Sequence, residues 1–522
     1  MRVLGIVGAL IAITIHHSLC LQINIPLTAN ANKSRHSYLL AQPTTTNTDT
    51  IKHQHSTSSR QLALQALIET PKSKDLNPVT RLESTITFLQ ADKRDRAFAR
   101  NLVSTTSRRL GQIDAVLSKC CDTYPPTGKF SSIVQACLRL GTAQILFLNT
   151  PSFAAVKETI DELKKSQKVP IPVPVIKFCN AVLRRVGREG EELLKETSLI
   201  QNLSPFLYDG LINAYGEEKT HQIVHQLMDD TSHSKVDLSI NMYGLQGEER
   251  EQRIKDVINT FTESDQNFES VSLLPNDSIR IVKCANTGKV SEWPLYNEGI
   301  WWVQDVSSTL PAIALTSTLT KQYGDIQGLH VIDCCAAPGG KTSQLLSAGF
   351  QVTAIESSAR RSRRLKENIE RIQLNEKCKL IVSPGQNWLP EENDMPIVGV
   401  LVDAPCSASG TGNKNPDALR RSNFGNLLET QELLANHFTD NVLKPGGLLV
   451  YATCSLHPEE SEHQILNLIQ KGTMQTIPFK KGEIPGFDDA IDENGWLRVL
   501  PGTLEGDLKE CDGFFVARLV KV

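Results

Sequence analysis

From about residue 299 onward the sequence alternates short apolar runs with amphipathic ones, and this alternation constrains the fold more than any other feature. "LHVIDCC", "QVTAIES", "CKLIVSP" and "VGVLVDAP" read as strands. "GKTSQLLSAG" and "RRSRRLKENIERIQ" read as helices between them, and "NLLETQELLANHFTDNVL" as a long helix that leads through "KPGG" to a further strand, "LLVYATCS". Strands that are apolar at nearly every position are buried on both faces. Separated by helices with short connections, they predict a parallel sheet covered by helices on each side. In open sheets of this kind ligands bind outside the carboxyl ends of the strands. Cys454, in "LVYATCSLHPEE", falls at such an end. A lone cysteine there would be a small packing residue, so the rest of the chain has to decide its role.

A chain of 522 residues exceeds what one core holds and implies several domains. Residues 61–200 read as an all-α bundle. "RQLALQALIET", "RDRAFARNLVSTTSRRLGQIDAVLSKC", "SSIVQACLRLGTAQILFL", "AAVKETIDELKKSQK" and "IKFCNAVLRRVGREGEELLKE" carry apolar residues at three-and-four spacing, with "YPPTGK", "LNTPSF" and "VPIPVPV" as breaks. Residues 204–298 mix helix ("HQIVHQLMDD", "EREQRIKDVINTF") with strand ("KVDLSINMY", "SIRIVKC") and predict a small α+β module ahead of an α/β domain over 299–522. The 12 cysteines form no CxxC pair, which predicts reduced thiols and no structural metal. Net charge is -3, so no general affinity for nucleic acid follows, although a local basic face is allowed.

Residues 1–60 read as a targeting presequence. "VLGIVGALIAITI" has signal-peptide length and is too short to span a membrane comfortably. The following stretch is rich in Ser, Thr, Asn and His, with Asp49 its sole acid, as in organelle transit peptides. The two halves together predict a bipartite presequence for a plastid, with mitochondrion or cytoplasm as alternatives. No lasting membrane association is expected after its removal.

Three strand ends carry chemistry. "DCCAAPGGKT" (333–342) runs from strand through a Gly-rich turn into a helix, and Gly339 and Gly340 let backbone approach a ligand. A nucleotide triphosphatase loop would need Gly at position 335, where Cys335 stands. Glu356 ends the next strand about 20 residues on, where an acid can accept the hydroxyls of a ribose. The three-glycine dinucleotide fingerprint is missing, which favours S-adenosylmethionine over NAD. "VLVDAPCSASGTG" (400–412) ends another strand and puts Asp403 and Cys406 at the same sheet edge as Cys454. Two thiols and a carboxylate suit one reaction well. A thiolate added at C6 of cytosine makes C5 nucleophilic, so that it can take a methyl group from a sulfonium donor. One cysteine attacks, the other assists release, and the Asp holds the pyrimidine edge.

"DCCAAPGGKT", "DAPCSASGTG", "YATCSLHPEE" and "DGFFVARL" resemble the RNA (cytosine-5) methyltransferases of the Nop2/Sun group, and "GIWWVQDVSS" resembles their lead-in to the catalytic domain. Upstream, "RDRAFARNLV", "RRLGQID", "LRLGTAQILFL", "AAVKETI" and "NAVLRR" resemble a NusB-type helical domain, which marks the Sun branch. The resemblance covers residues 60–522. It implies a NusB-like RNA-binding bundle, then a Rossmann-like class I methyltransferase domain that uses S-adenosylmethionine on small-subunit rRNA. It implies Cys454 as nucleophile, Cys406 as the cysteine that helps release product, and Asp403 as the acid between donor and base. Cys335, Ala336, Ala337, Pro338, Gly339, Gly340 and Lys341 match the donor loop, Glu356 the ribose contact, and Cys334 a variable packing position.

Two departures stand out. After the third strand the family shows Gly-Asp with the acid near the adenine; here "SPGQNW" puts Gln386 there. Where bacterial members carry two Arg before "HPD", this chain has Asn413 and Lys414. The basic run over 360–366 is a candidate phosphate contact, or merely a solvated helix face. The expected assembly is a monomer acting on unassembled or partly assembled rRNA. A tRNA or large-subunit target, or an RNA-binding assembly factor without catalysis, are the alternatives.

Overall fold

A computed structural model describes residues 57–68, 78–165, 170–229, 234–284 and 287–522. Both halves of the expected presequence up to residue 56 lie outside the described residues. The first helix begins at Ser59, where Ser58 accepts a hydrogen bond from the Gln61 N–H. Residues 59 and 60, the last two of the expected presequence, are therefore helical.

The helical region packs around one apolar core drawn from every helix between Ser59 and Lys195. The run expected as one helix after Asp92 is two, Lys93–Arg108 and Leu110–Cys120. The break falls at Arg109, whose φ is -96° and ψ 15°. In the second helix a Cβ at Gly111 would lie 1.7 Å from the Gln201 carbonyl oxygen, so glycine there admits the chain leaving the bundle. That chain enters a longer helix than expected, Pro205–Leu227, bent at Gly216 where φ is 75°.

The α+β module is a four-stranded antiparallel sheet. Its strands are β1 (Lys235–Ile240), β2 (Phe268–Leu274), β3 (Ser278–Lys283) and β4 (Trp301–Val303), in the order β2-β3-β1-β4. β4 lies beyond the expected boundary at 298: Trp301 pairs with Ile240 and Val303 with Leu238. Trp301 is fully buried against Phe261 and Trp293, so the lead-in stretch serves the small sheet before the chain enters the catalytic domain.

The catalytic domain is built on an eight-stranded sheet. Its strands are β5 (His330–Cys334), β6 (Gln351–Glu356), β7 (Cys378–Val382), β8 (Ile397–Asp403), β9 (Leu448–Thr453), β10 (Met474–Thr476), β11 (Leu497–Val499) and β12 (Phe514–Lys521). The order is β10-β12-β9-β8-β5-β6-β7, with β11 paired to β12. The five strands β5 to β9 are parallel, as expected. β12 corrects the wholly parallel reading: it runs antiparallel to β9, β10 and β11. The chain crosses to the carboxyl edge of the sheet before β12 starts, and Phe515 pairs with Thr453 at the end of β9. Both faces are covered, which is why successive residues such as Leu449, Val450, Tyr451 and Ala452 are all buried. From β5 the chain steps to β6 and β7 on one side, while β8 and β9 lie on the other. The crevice between the ends of β5 and β8 is the topological switch point of the sheet.

Candidate active site

β5 ends at Cys334 and the chain turns sharply. Cys335 has φ 64° and Gly339 has φ 107°. A non-glycine residue in the left-handed region costs on the order of 1 kcal/mol, so Cys335 holds its turn under mild strain. A Cβ at Gly339 would meet Leu365 Cδ1 at 2.6 Å, so the loop lies directly on the helix Ala359–Arg371. That helix also braces the loop by hydrogen bonds. Arg361 donates to the Ala337 carbonyl at 2.6 Å and Asn368 to the Pro338 carbonyl at 2.8 Å. The buried Glu356 carboxylate accepts from the N–H groups of Ala337 (3.3 Å) and Ser358 (2.9 Å). The loop Cys335–Lys341, the end of β6 and the helix Gly340–Ala348 thus form one cradle. Gln386 is half-buried in the turn after β7, beside Gly385, whose Cβ position lies 2.5 Å from the Cys334 sulfur. Cys334 is therefore packing beneath the loop.

At the end of β8, Asp403 accepts from Lys341 Nζ at 2.8 Å, and Lys341 lies over the Phe514 ring. Burial works against the lysine charge, but Asp403, with Asp333 and Cys454 further off, outweighs it and raises its pKa. Cys406 follows β8 and Cys454 follows β9, and their sulfurs are 3.5 Å apart. The hydrogen bond with Cys406, then burial, push the Cys454 thiol well above its ordinary pKa, with Lys341 opposing. The Cys454 thiol therefore rests protonated until something at the site favours a thiolate.

Lys341 and Asp403 border a cavity of about 600 Å³ between the sheet edge and the small module. Its walls carry Asp333, Ala336–Pro338, Gly340, Lys341 and Asp403 on one side and Lys235, Asp237 and Arg280 on the other. Burial pushes the Asp333 carboxyl up to about 7 although Thr342 donates to its Oδ2 at 2.6 Å. Its Oδ1 is buried with no partner in the protein. Lys414, which stands where the resemblance places an RNA-contacting Arg, is clamped between Asp305 (2.7 Å) and Asp512 (2.8 Å). Burial opposes its charge, yet the two carboxylates raise its pKa well above the lysine range. Asn413 is buried beside it.

Comparison with known proteins decides among the chemistries such a site could host. Residues 318–520 match the family described as 16S rRNA methyltransferase RsmB/F, and residues 57–188 match the NusB family. Ribosomal RNA small subunit methyltransferase B of Salmonella arizonae is 31% identical over 450 residues, covering 83% of this chain and 91% of that protein. The chain belongs to the RsmB family. The Vibrio vulnificus relative of the same name is 29% identical over 442 residues, covering 82% and 92%. The crystal structure of PH0851 shares the fold, with a TM-score of 0.64 at 21% identity over 89% of this chain and 98% of that one. The RsmB-family chain is accordingly an RNA methyltransferase, and S-adenosylmethionine is its methyl donor.

The residues present fit that donor. The unpartnered Oδ1 of Asp333 offers an acceptor to an ammonium group in the cavity, which Gly340 also lines.

One group that carries the site was invisible as such in the sequence of this RsmB-family protein. Glu460, fully buried, accepts from the Ser407 N–H at 2.8 Å, from the Ser455 hydroxyl at 2.5 Å and from Gln431 at 3.0 Å. It therefore ties the residue after Cys406 to the residue after Cys454. It stands in "LHPEE", where the sequence suggests only a helix-start acid. The second missed residue is His457, stacked on Phe206 and edge-on to Phe424, with Gly210 packed against its ring. Tyr215 donates to the Leu456 carbonyl at 2.8 Å. The helix Pro205–Leu227 thus buttresses the loop that follows Cys454.

Proposed function

We propose that the enzyme methylates C5 of a cytosine in small-subunit rRNA through a covalent adduct with Cys454. What supports this reading is the pair of sulfurs 3.5 Å apart at the ends of neighbouring parallel strands, with Lys341 and Asp403 close enough to shift the titration of Cys454. Bound S-adenosylmethionine supplies an electrophilic methyl group on a positively charged sulfur. Cys454 gives up its proton as the pyrimidine docks, and Lys341 favours the resulting thiolate. The sulfur adds to C6 and the C5–C6 electron pair moves toward C5, which then takes the methyl group. Loss of the C5 proton to a nearby base re-forms the double bond and expels the Cys454 thiolate. Cys406 is the group placed to assist that expulsion, and Asp403 to hold the N3 edge.

The two thiols are told apart by substitution. Cys454→Ser should abolish methylation with donor binding intact, because a hydroxyl is a far weaker nucleophile at neutral pH. Cys406→Ser should let the adduct form and stall, giving a covalent protein–RNA band on a denaturing gel. The double variant should give none. Activity retained in both single variants would overturn the mechanism. Bisulfite sequencing of rRNA from cells lacking the protein identifies the target and separates small-subunit rRNA from tRNA or large-subunit rRNA. Its substrate is unassembled or partly assembled rRNA, met as a monomer. The same proposal places the protein in a plastid; a reporter fused to residues 1–60 should enter the organelle, and one that stays in the cytosol refutes the assignment.

A further inference from the structure

A second cleft, of about 700 Å³, adjoins the catalytic cavity and shares Lys414 and Asn415 with it. Four parts of the chain build it, one of them the helix Pro78–Glu83. The helix Lys93–Arg108 contributes Asn101 and Ser104, β3 of the small module contributes Lys283, and the catalytic domain contributes the loop from Lys414 to Asp417. Most of its charges are satisfied. Glu83 pairs with Arg100 at 2.6 Å, Lys414 is clamped by Asp305 and Asp512, and Arg108 and Asp417 each have a partner. Lys283 differs. It is half-buried at the end of β3, and among the described residues no carboxylate pairs with it. Its pKa falls through burial alone. The other inward-facing cations of this region, Arg280, Lys235, Lys341 and Lys414, each hold a carboxylate. A desolvated ammonium kept without a counter-ion costs stability, and an anionic ligand restores what it lacks.

We propose that this cleft is the path by which the RNA strand reaches the catalytic cavity, with Lys283 binding one backbone phosphate of a nucleotide flanking the target. The inference rests on the reading that the substrate is RNA. Asn101, Ser104 and Asn415 supply neutral hydrogen-bonding groups along the cleft wall, which suits sugar and phosphate oxygens and needs no base identity. The helical domain then forms one wall of the substrate path and is more than a tether that recruits RNA from a distance.

The test uses the full chain and Lys283→Met, which keeps the stem and removes the charge. Binding of an rRNA fragment is followed against salt concentration, alongside steady-state methylation. The variant should bind RNA about tenfold more weakly at low salt. Its slope of log affinity against log salt should be shallower by about 0.7, the value for one phosphate contact on a single strand. KM for RNA should rise while kcat and donor affinity hold, and Lys283→Arg should restore most of the salt slope. Unchanged RNA affinity and slope in Lys283→Met would overturn the proposal, as they would if the cleft took an acidic protein segment. A lower melting temperature with an unchanged salt slope would also overturn it, since that is what a purely structural lysine gives. The binding measurement needs no turnover, so a wild-type protein that binds RNA without methylating it would fail the cytosine-5 reading alone.

Discussion

Asp333 couples the donor site to the stability of the fold. Its carboxyl is pushed by burial from 3.8 up to about 7, so the native protein holds a proton across a window in which an unfolded chain has lost it. More protons bound in the native state means that stability falls as pH rises through that window. Above about 7 the loss is complete. Asp333→Asn removes the charge and keeps an acceptor for Thr342. The variant should be more stable than wild type at pH 8, by on the order of 4 kcal/mol, with the difference shrinking toward pH 4. Thermal melts across pH measure it, and a difference independent of pH would refute the argument. Calorimetry should show weaker donor binding by the same variant. The position of Asp403 and Glu356 at strand ends, and of Cys406 and Cys454 just beyond them, was legible in the sequence because each follows a clear apolar run. Glu460 and Lys283 were not legible. Each is one charged residue among many, and its meaning comes from burial and from which partner it has or lacks.

Helices and strands were legible where their apolar period was clean and their partners local. All five parallel strands could be read from the chain: β5, β6, β8 and β9 because a strand buried on both faces is a nearly continuous apolar run, and the edge strand β7 from its short apolar core. The direction of β12 could not, because "FFVARLVK" has the same composition whichever way it pairs; only the path of the chain over the sheet edge decides. β4 was hidden for a similar reason, since three residues carry little pattern of their own. One buried residue that joins the small module to the catalytic domain is Arg280. Arg280 on β3 makes two bonds to Asp237 on β1, at 2.7 and 2.9 Å, and reaches Glu510 at 3.3 Å. Arg280→Met leaves Asp237 buried and unpaired beside Asp305, and should cost about 3–5 kcal/mol. Denaturant unfolding should show it, whereas a loss under about 1 kcal/mol would mean that water reaches the freed carboxylate.

Across the whole molecule, helical, mixed and parallel-sheet parts meet around one cavity and its adjoining cleft. That arrangement could not be read from the sequence, because the contacts that make it join residues far apart in the chain, as Arg280 and Glu510 are, 230 positions from each other. The antiparallel course of β12 has a consequence for how the protein comes off the ribosome. β9 is buried along its whole length, and one of its two edges pairs with β12 over six residues. Synthesis reaches β12 some 60 residues after β9, so the nascent sheet carries an unpaired apolar edge for several seconds at ordinary elongation rates. An edge of that kind invites pairing with another chain. A version ending at residue 505 should therefore collect in the insoluble fraction instead of forming a smaller folded enzyme. Supplying residues 506–522 as a separate peptide during refolding should return part of it to solution, and a soluble, monomeric truncated chain would show that the edge is protected by some other means.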